Sequence, residues 1–495
     1  MSGADAAQRP NILLICVDQW PGPLFGYRGH SVVETPTIDQ LARNGVAFPR
    51  AYSECPICIP ARRTMMTGTS PRTHGDRLFQ PSIPMPDLPT LGGTFASAGY
   101  HCVAVGKLHA YPQRDRMGFH EALIAEEGRP QLGAVDDHDL YLSDRGFTGK
   151  QFLHGMSNND YGWRTWHLPE DCHVTNWTTF AMCREIKRRD PTRPSFWHLS
   201  YTQPHPPIVP LEAYFERYAR RTPTEPLNAP WARGELPPAL QAVQSFWPAL
   251  PPGQLADVRR AFYALCTHID AQIRLVIGTL REENLLDNTI ILFTGDHGDM
   301  LGDFGLYAKR VMYEGSANIP MIFVPPAGDT SLKPGTTDMR LVGLQDVMPT
   351  LLSAAAVRVP QTVEGLSMVG ETRRETLYGE ALEGPKAMRM LHDGRHKLIW
   401  YPAGGLVQLF DLERDPQELH DRGGDPQYHN IRLQLEASLC AELYGEDKEL
   451  GQNSRLAGRS AEPWSAPPNR NLSGQRGLHY PQPPLDDPRN IVGTA

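Results

Sequence analysis

The chain has 495 residues, of which 40% are apolar and 21% charged, and a net charge of −8. This balance excludes a disordered or membrane-embedded class and accommodates one large α/β domain with a smaller companion. No long basic stretch accompanies the negative charge, which argues against a nucleic-acid groove or an anionic membrane surface as partner.

No apolar run nears the ~20 residues of a membrane span, and Met1–Pro10 lacks the apolar core of a signal peptide. The expected location is therefore the cytoplasm, without membrane association. Eight cysteines, at positions 16, 55, 58, 102, 172, 183, 266 and 440, form no disulfide framework and are expected as buried thiols. Cys55 and Cys58 make a Cys-x-x-Cys pair, but with no second pair nearby this is a weak zinc or redox signal. The 46 prolines and 44 glycines exceed average usage and imply long ordered loops.

In chain order, Asn11 to Val17 is a continuous, β-branched apolar run, the pattern of a strand buried on both faces, and it ends in Asp18. Helical patterns cover Thr37 to Asn44 and Leu91 to Ala98, with strands at His101 to Val105 and Ser195 to Ser200. Residues 222 to 253 read as a Pro-rich surface insertion, followed by a helix from Leu255 to about Glu283. Thr289 to Gly295 repeats the opening pattern and ends in Asp296. Alternating strands and helices predict an α/β sandwich with a mostly parallel sheet. In such sheets ligands collect beyond the carboxyl ends of the strands, so Asp18 and Asp296 could face one crevice. Taken singly, each is equally well read as a cap on the following helix.

From about Thr376 short strands follow: Thr376 to Leu382, Met388 to Leu391, His396 to Tyr401 and Leu409 to Leu412, with a helix near Tyr428 to Tyr444. They predict a small antiparallel α+β subdomain. The expected division is 1–375 catalytic, 376–449 C-terminal subdomain, and 450–495 an arm or tail. The proline-rich stretch from Pro463 to Pro488 reads as an arm crossing to a neighbouring subunit, which would make the protein a homo-oligomer.

The strongest local signal is Cys58-Ile59-Pro60-Ala61-Arg62. This Cys-x-Pro-x-Arg pentapeptide resembles the sulfatase signature, in which a dedicated generating enzyme oxidises the cysteine to formylglycine. The accompanying motifs extend the resemblance from Pro10 to about Asp421: the strand ending in Asp18, Thr35-Pro36-Thr37-Ile38-Asp39, Gly106-Lys107-Leu108-His109, Gln203-Pro204-His205, Asp296-His297-Gly298 with Lys309, Asn318-Ile319-Pro320, and Phe410 to Pro416. In this order they resemble the type I sulfatases of the alkaline phosphatase superfamily, which implies an alkaline-phosphatase-like α/β/α sandwich.

The chemistry of a sulfate ester sets the same requirements. Attack at sulfur needs charge neutralised on the non-bridging oxygens, an activated oxygen nucleophile and a proton for the leaving group. Asp18, Gln19, Asp296 and His297 form a mostly hard donor set suited to one divalent metal, Ca²⁺ first and Mn²⁺ or Mg²⁺ as alternatives, which would also bind the nucleophile at Cys58. The resemblance implies that formylglycine hydrates to a diol, of which one hydroxyl attacks sulfur while deprotonation of the other later expels sulfate. It further implies that Arg62 holds the diol, Lys107 and Lys309 grip sulfate oxygens, His109 acts as base on the diol and His205 protonates the leaving group. Singly, each of these histidines and lysines reads as an ordinary loop residue. His74, His101, His120, His154 and His268 have no comparable support.

Two features pull apart. Many sulfatases carry two adjacent acids where this chain has Asp18-Gln19, and Asp-Gln with Asp-His resembles the branch that includes phosphonate monoester hydrolases. Lys107 and His109, by contrast, are the sulfatase pair. The expected substrate is a small-molecule sulfate ester, aryl or small organic. A phosphonate monoester or phosphodiester hydrolase is the alternative, and a metal-binding pseudoenzyme is the reading from a different class. Tyr161 to Trp166, Trp177 and Tyr111 read either as an aromatic pocket wall or as loop aromatics packed on the core.

Overall fold

A computed structural model describes residues 9–127, 135–156, 159–247 and 249–461. The stretch from Pro463 to Pro488 lies outside the described residues. At the centre is the Asn11–Asp18 strand, every residue of which is buried. It pairs in parallel with Ser195–Pro204 on one side and Thr289–Gly295 on the other. The sheet has eight strands, in the order Glu121–Ile124, His101–Gly106, Ser195–Pro204, Asn11–Asp18, Thr289–Gly295, Met321–Val324, Val46–Ala47 and Thr336–Thr337. It is parallel except where Met321–Val324 runs against both of its neighbours. The expected mostly parallel sheet is present, and the 195 strand runs four residues further than its apolar run suggested.

Alternate residues of the central strand feed two cores, as the two-residue period of a strand requires. Leu13, Ile15 and Val17 join a cluster with Ile38 and Leu41 of the Pro36–Asn44 helix, Met182 and Ile186 of Val174–Lys187, and Phe262, Ile269 and Ile273 of the long Pro252–Glu282 helix. Ile12, Leu14 and Cys16 face the other way, toward Met65 of Cys58–Thr67, Phe95 of Leu91–Ser97, and Leu351 of Val347–Ala354. Helices thus cover both sheet faces, the arrangement that buries an all-apolar parallel strand.

The C-terminal part is a four-stranded antiparallel sheet, Leu377–Ala381, Met388–His392, His396–Tyr401 and Leu406–Asp411, in sequence order. One face packs Leu398, Trp400 and Leu409 against Leu435 and Leu439 of the His429–Glu442 helix. The other face places Met390, Ile399 and Phe410 in a cluster with Cys55, Ile57 and Ile59, beneath the segment that carries Cys58.

The Pro-rich stretch 222–253 is not a loose surface insertion. It contains the Pro238–Phe246 helix, whose Ala239, Leu240 and Val243 are buried in that same third cluster. Pro237 and Pro238 sit at the N-cap and first helical position, where the missing N–H has no intrahelical partner to lose, so they begin a helix rather than interrupt one. No helix among the described residues is long and apolar enough to cross a membrane.

Candidate functional site at the carboxyl edge of the sheet

The register puts Val17 opposite Gly295, so Asp18 and Asp296 leave adjacent parallel strands side by side. Lys107 emerges beyond the next strand but one, after Gly106, which pairs with Ser200. Gly106 has φ 105°, and a Cβ there would stand 1.8 Å from the Ser200 carbonyl oxygen; only glycine lets the chain turn Lys107 inward at this point. The Cys58–Thr67 helix enters from below with Cys58 as its first residue. Arg62, one turn on, shares that face.

All ten expected site residues are buried, and the structure brings them into one cluster. The Cys58 Sγ lies 2.8 Å from Lys309 Nζ and 3.1 Å from His297 Nε2, with Asp18 Oδ1 at 3.9 Å. Arg62 donates from Nε to Asp296 Oδ2 (2.9 Å), from Nη2 to Asp18 Oδ2 (3.3 Å), and from Nη1 to the Lys107 carbonyl and Ser200 Oγ (both 2.8 Å). Its fork braces the two carboxylates from behind and acts on Cys58 through its charge. Lys107 Nζ is 2.5 Å from Asp18 Oδ2 and also pairs with Glu127.

The electrostatics separate Cys58 from every other cysteine. Burial alone raises a thiol, and the other seven are all raised, Cys16 and Cys102 to about 12. At Cys58 burial is outweighed by the charges of Lys309, Lys107 and His297 and by a hydrogen bond from His109, which hold the thiol well below its ordinary value. Cys55, the other half of the Cys-x-x-Cys pair, is a free, buried thiol packed among apolar side chains. For Asp18, burial and the Cys58 charge push the carboxyl up, but Lys107, His205 and Lys309 prevail and hold it at about 2. Asp296 is raised, by burial and by the charge of Asp18.

Asp18, Cys58, Asp296 and His297 each offer one ligand atom, all within 4.8 Å of one another. Donor chemistry favours a cation at this point. Without a metal, burial would lower His297, but Asp296 and Cys58 outweigh it and raise the imidazole. Its Nδ1 faces the Gly298 carbonyl at 3.0 Å, so the proton a cation would displace is the one on Nε2, whose lone pair would then face the carboxylates. Gln19 is oriented just as definitely. Its Nε2 donates to Asp299 Oδ2 (2.6 Å), while Lys309 Nζ donates to its Oε1 (2.9 Å), so the amide oxygen faces the cluster. The residues present therefore fit a hard divalent metal.

Several contributors were not foreseen. Asp299 accepts from Gln19, from the Tyr161 hydroxyl (2.7 Å) and from two backbone N–H groups. Glu127 pairs with Lys107 and stands 3.4 Å from His205 Nδ1, and Glu126 accepts from the His109 backbone N–H. Acids in loops carry no period or spacing to mark them, although Asp299 stands only two residues beyond His297. Gln19, His109, Glu127 and Arg310 hold left-handed backbone (φ 66°, 58°, 56° and 81°) at or beside the cluster, a form of strain that functional sites often carry.

Three of the loop aromatics pack on or brace their surroundings, and one lines a cavity. Trp163 stacks on Phe215 at 4.1 Å, Trp177 is buried against His138, and Tyr161 braces Asp299. Trp166 lines a cavity beside His205, together with Glu127, Phe152, His154 and Gln203.

Comparison with known proteins agrees with this geometry. The model of the Sulfatase family matches residues 10–357, and that of the N-sulphoglucosamine sulphohydrolase C-terminal family matches 302–444. An arylsulfatase of Clostridium perfringens is 32% identical over 470 residues, covering 90% of this chain and 97% of that protein. A choline-sulfatase of Rhizobium meliloti is 29% identical, covering 84% of this chain and 83% of its own length. The crystal structure of a phosphonate monoester hydrolase of Agrobacterium radiobacter superposes with a TM-score of 0.73 over 88% of this chain and 95% of that one, at 23% identity, and so shares the fold. A family model that spans most of the chain and a relative matched along nearly its whole length leave one assignment: the chain belongs to the type I sulfatases of the alkaline phosphatase superfamily and is a sulfuric ester hydrolase.

Proposed function

We propose that the protein hydrolyses sulfate monoesters of small aryl or organic alcohols at formylglycine made from Cys58, with a divalent metal held by Asp18, Gln19, Asp296 and His297. The observation that carries this reading is the convergence on Cys58: the one cysteine whose thiol is lowered is the first residue of a buried helix, against Lys309, His297 and Asp18. The family implies the modification, so a formylglycine-generating enzyme is the partner expected during maturation. Two carboxylates, an amide oxygen and one imidazole favour Ca²⁺, with Mn²⁺ or Mg²⁺ as alternatives.

The bound metal supplies positive charge for the sulfate oxygens, and formylglycine supplies the oxygen that attacks sulfur. The remaining roles belong to the chain. Arg62 keeps the two carboxylates parallel and fixed. Lys107 and Lys309 present ammonium groups that stabilise the sulfate oxygens as charge builds on them. His109, which hydrogen-bonds Cys58, takes a proton from the nucleophile. His205 donates to the departing oxygen. Its Nδ1 faces the Pro206 carbonyl at 2.7 Å and the Glu127 carboxylate, which keeps a proton on Nδ1 and leaves Nε2 to serve the leaving group. In the net reaction water adds across the ester, giving an alcohol or phenol and hydrogen sulfate.

Loss of sulfate ester hydrolysis in folded, metal-loaded Cys58→Ala supports this reading, and full retention of activity refutes it. Gln19, neutral where many sulfatases carry an acid, supports phosphonate monoester hydrolysis as a second reading.

A further inference from the structure

Arg310 follows Lys309 and is anchored by its backbone N–H, which donates to the Pro56 carbonyl at 3.1 Å, two residues before the nucleophile. Its side chain is only 7% exposed, and its Nε has no hydrogen-bond partner. Among the described residues no carboxylate pairs with it. The guanidinium carbon lies 5.4 Å from the centre of the Phe246 ring, at the end of the Pro238–Phe246 helix. That helix packs against the Gly384–Lys386 turn of the C-terminal sheet, which brings the Lys386 ammonium close enough for Arg310 to repel it. Burial lowers Arg310 to about 10, with the Cys58 charge alone opposing the shift; burial and Arg310 lower Lys386 to about 8.

This cationic pair differs from the catalytic cations. Arg62 and Lys107 are matched by carboxylates, and Lys309 is held between Cys58 and the Gln19 oxygen. Arg310 has no such counterpart; it is held in left-handed backbone beside Lys309, near enough to Cys58 to feel its charge. An unpaired buried guanidinium is costly, and the cost is offset when a ligand brings the missing anion. The planar fork suits a carboxylate or a second sulfate equally.

Resting on the sulfate ester reading, we propose that Arg310 and Lys386 form a second anion subsite, so that preferred substrates carry a carboxylate or a further sulfate on the leaving group. Phe246 supplies an apolar face beside that anion. The same charges disfavour a cationic leaving group such as choline.

The test compares kcat/KM for a nitrophenyl sulfate bearing a ring carboxylate, a second bearing a sulfate, and the neutral carboxamide isostere. These are measured in the wild type, Arg310→Met, Arg310→Lys and Lys386→Gln, with oxidation of Cys58 confirmed by peptide mass. The ratio of anionic to neutral substrate is expected to fall about 10- to 100-fold in Arg310→Met, the worth of one charge-assisted hydrogen bond. Arg310→Lys should retain part of it, and the half-buried Lys386→Gln should lose less. Whether the carboxylate or the sulfate loses more identifies the anion. An unchanged ratio in Arg310→Met overturns the subsite, as does an equal loss on anionic and neutral substrates. Running the same set as phosphonate monoesters separates the two hypotheses. Failure of the sulfate reading moves turnover to the phosphonate series, where the ratio is still read, whereas failure of the subsite leaves the ratio flat in both.

Discussion

Asp299 touches no expected ligand position except through Gln19, and its isosteric replacement by Asn has a defined consequence. One carboxylate oxygen accepts from Tyr161 and from the Leu301 and Ala308 N–H groups, so the Asn oxygen must stay there. The new amide nitrogen then faces Gln19 Nε2, donor against donor at a position where the native contact is 2.6 Å. Flipping Gln19 only moves the conflict to Lys309 Nζ, which donates to the amide oxygen in the native arrangement, so in either orientation Gln19 loses a partner and no longer presents a fixed oxygen to the metal site. Loss of one charge-assisted hydrogen bond costs roughly 1.5–3 kcal/mol, which lowers Tm by about 2 °C in a chain this long. Loss of a ligand's orientation costs about 10- to 100-fold in metal affinity. Calorimetric titration of metal-stripped protein with Ca²⁺ or Mn²⁺ measures the second effect and a thermal melt the first. Tyr161→Phe, which keeps the carboxylate and Gln19 in place, should cost about 1 kcal/mol in stability and leave metal affinity nearly unchanged. Wild-type metal affinity in Asp299→Asn would refute the reasoning.

Arg62→Met leaves Asp18 and Asp296 buried without their shared cation, and should destabilise metal-free protein by about 3–5 kcal/mol; denaturant unfolding with and without saturating metal should show that metal restores part of the loss. In unmodified protein, Lys309→Met removes the largest charge lowering the Cys58 thiol, so the pH at which thiolate absorbance appears should move up. Glu54 is raised to about 7 by burial and by Asp346. Because its folded value lies above the unfolded 4.5, its contribution to stability is complete below pH 4.5 and is lost as pH rises through about 7. The loss is roughly 2–4 kcal/mol, and unfolding of Glu54→Gln should show a flatter pH dependence.

The central sheet was legible because a fully buried parallel strand leaves an uninterrupted apolar run, and two such runs end in Asp18 and Asp296. Their adjacency depends on the register of Val17 opposite Gly295, a long-range pairing that no local pattern encodes. Cys58, Arg62 and the flanking lysines and histidines were legible through motif order, whereas the partners that orient them were not. Asp299, Glu127 and Ser200 reach Gln19, Lys107 and Arg62 across loops or strands, with no periodicity to betray them. The Pro238–Phe246 helix was missed because Pro237 and Pro238 read as loop residues, although proline at a helix start fixes φ without losing a hydrogen bond. That omission also hid Arg310, whose surroundings come from this helix and the C-terminal turn.

The most direct test of the central claim is the ratio of kcat/KM for a nitrophenyl sulfate to that for a matched phosphonate monoester, in protein whose oxidation at Cys58 has been confirmed by peptide mass. A ratio well above one is the expected result, with Lys107 and His109 setting the preference for sulfate. A ratio well below one would contradict it, and would mean that neutral Gln19 beside Asp18 tunes this site for phosphonate esters instead.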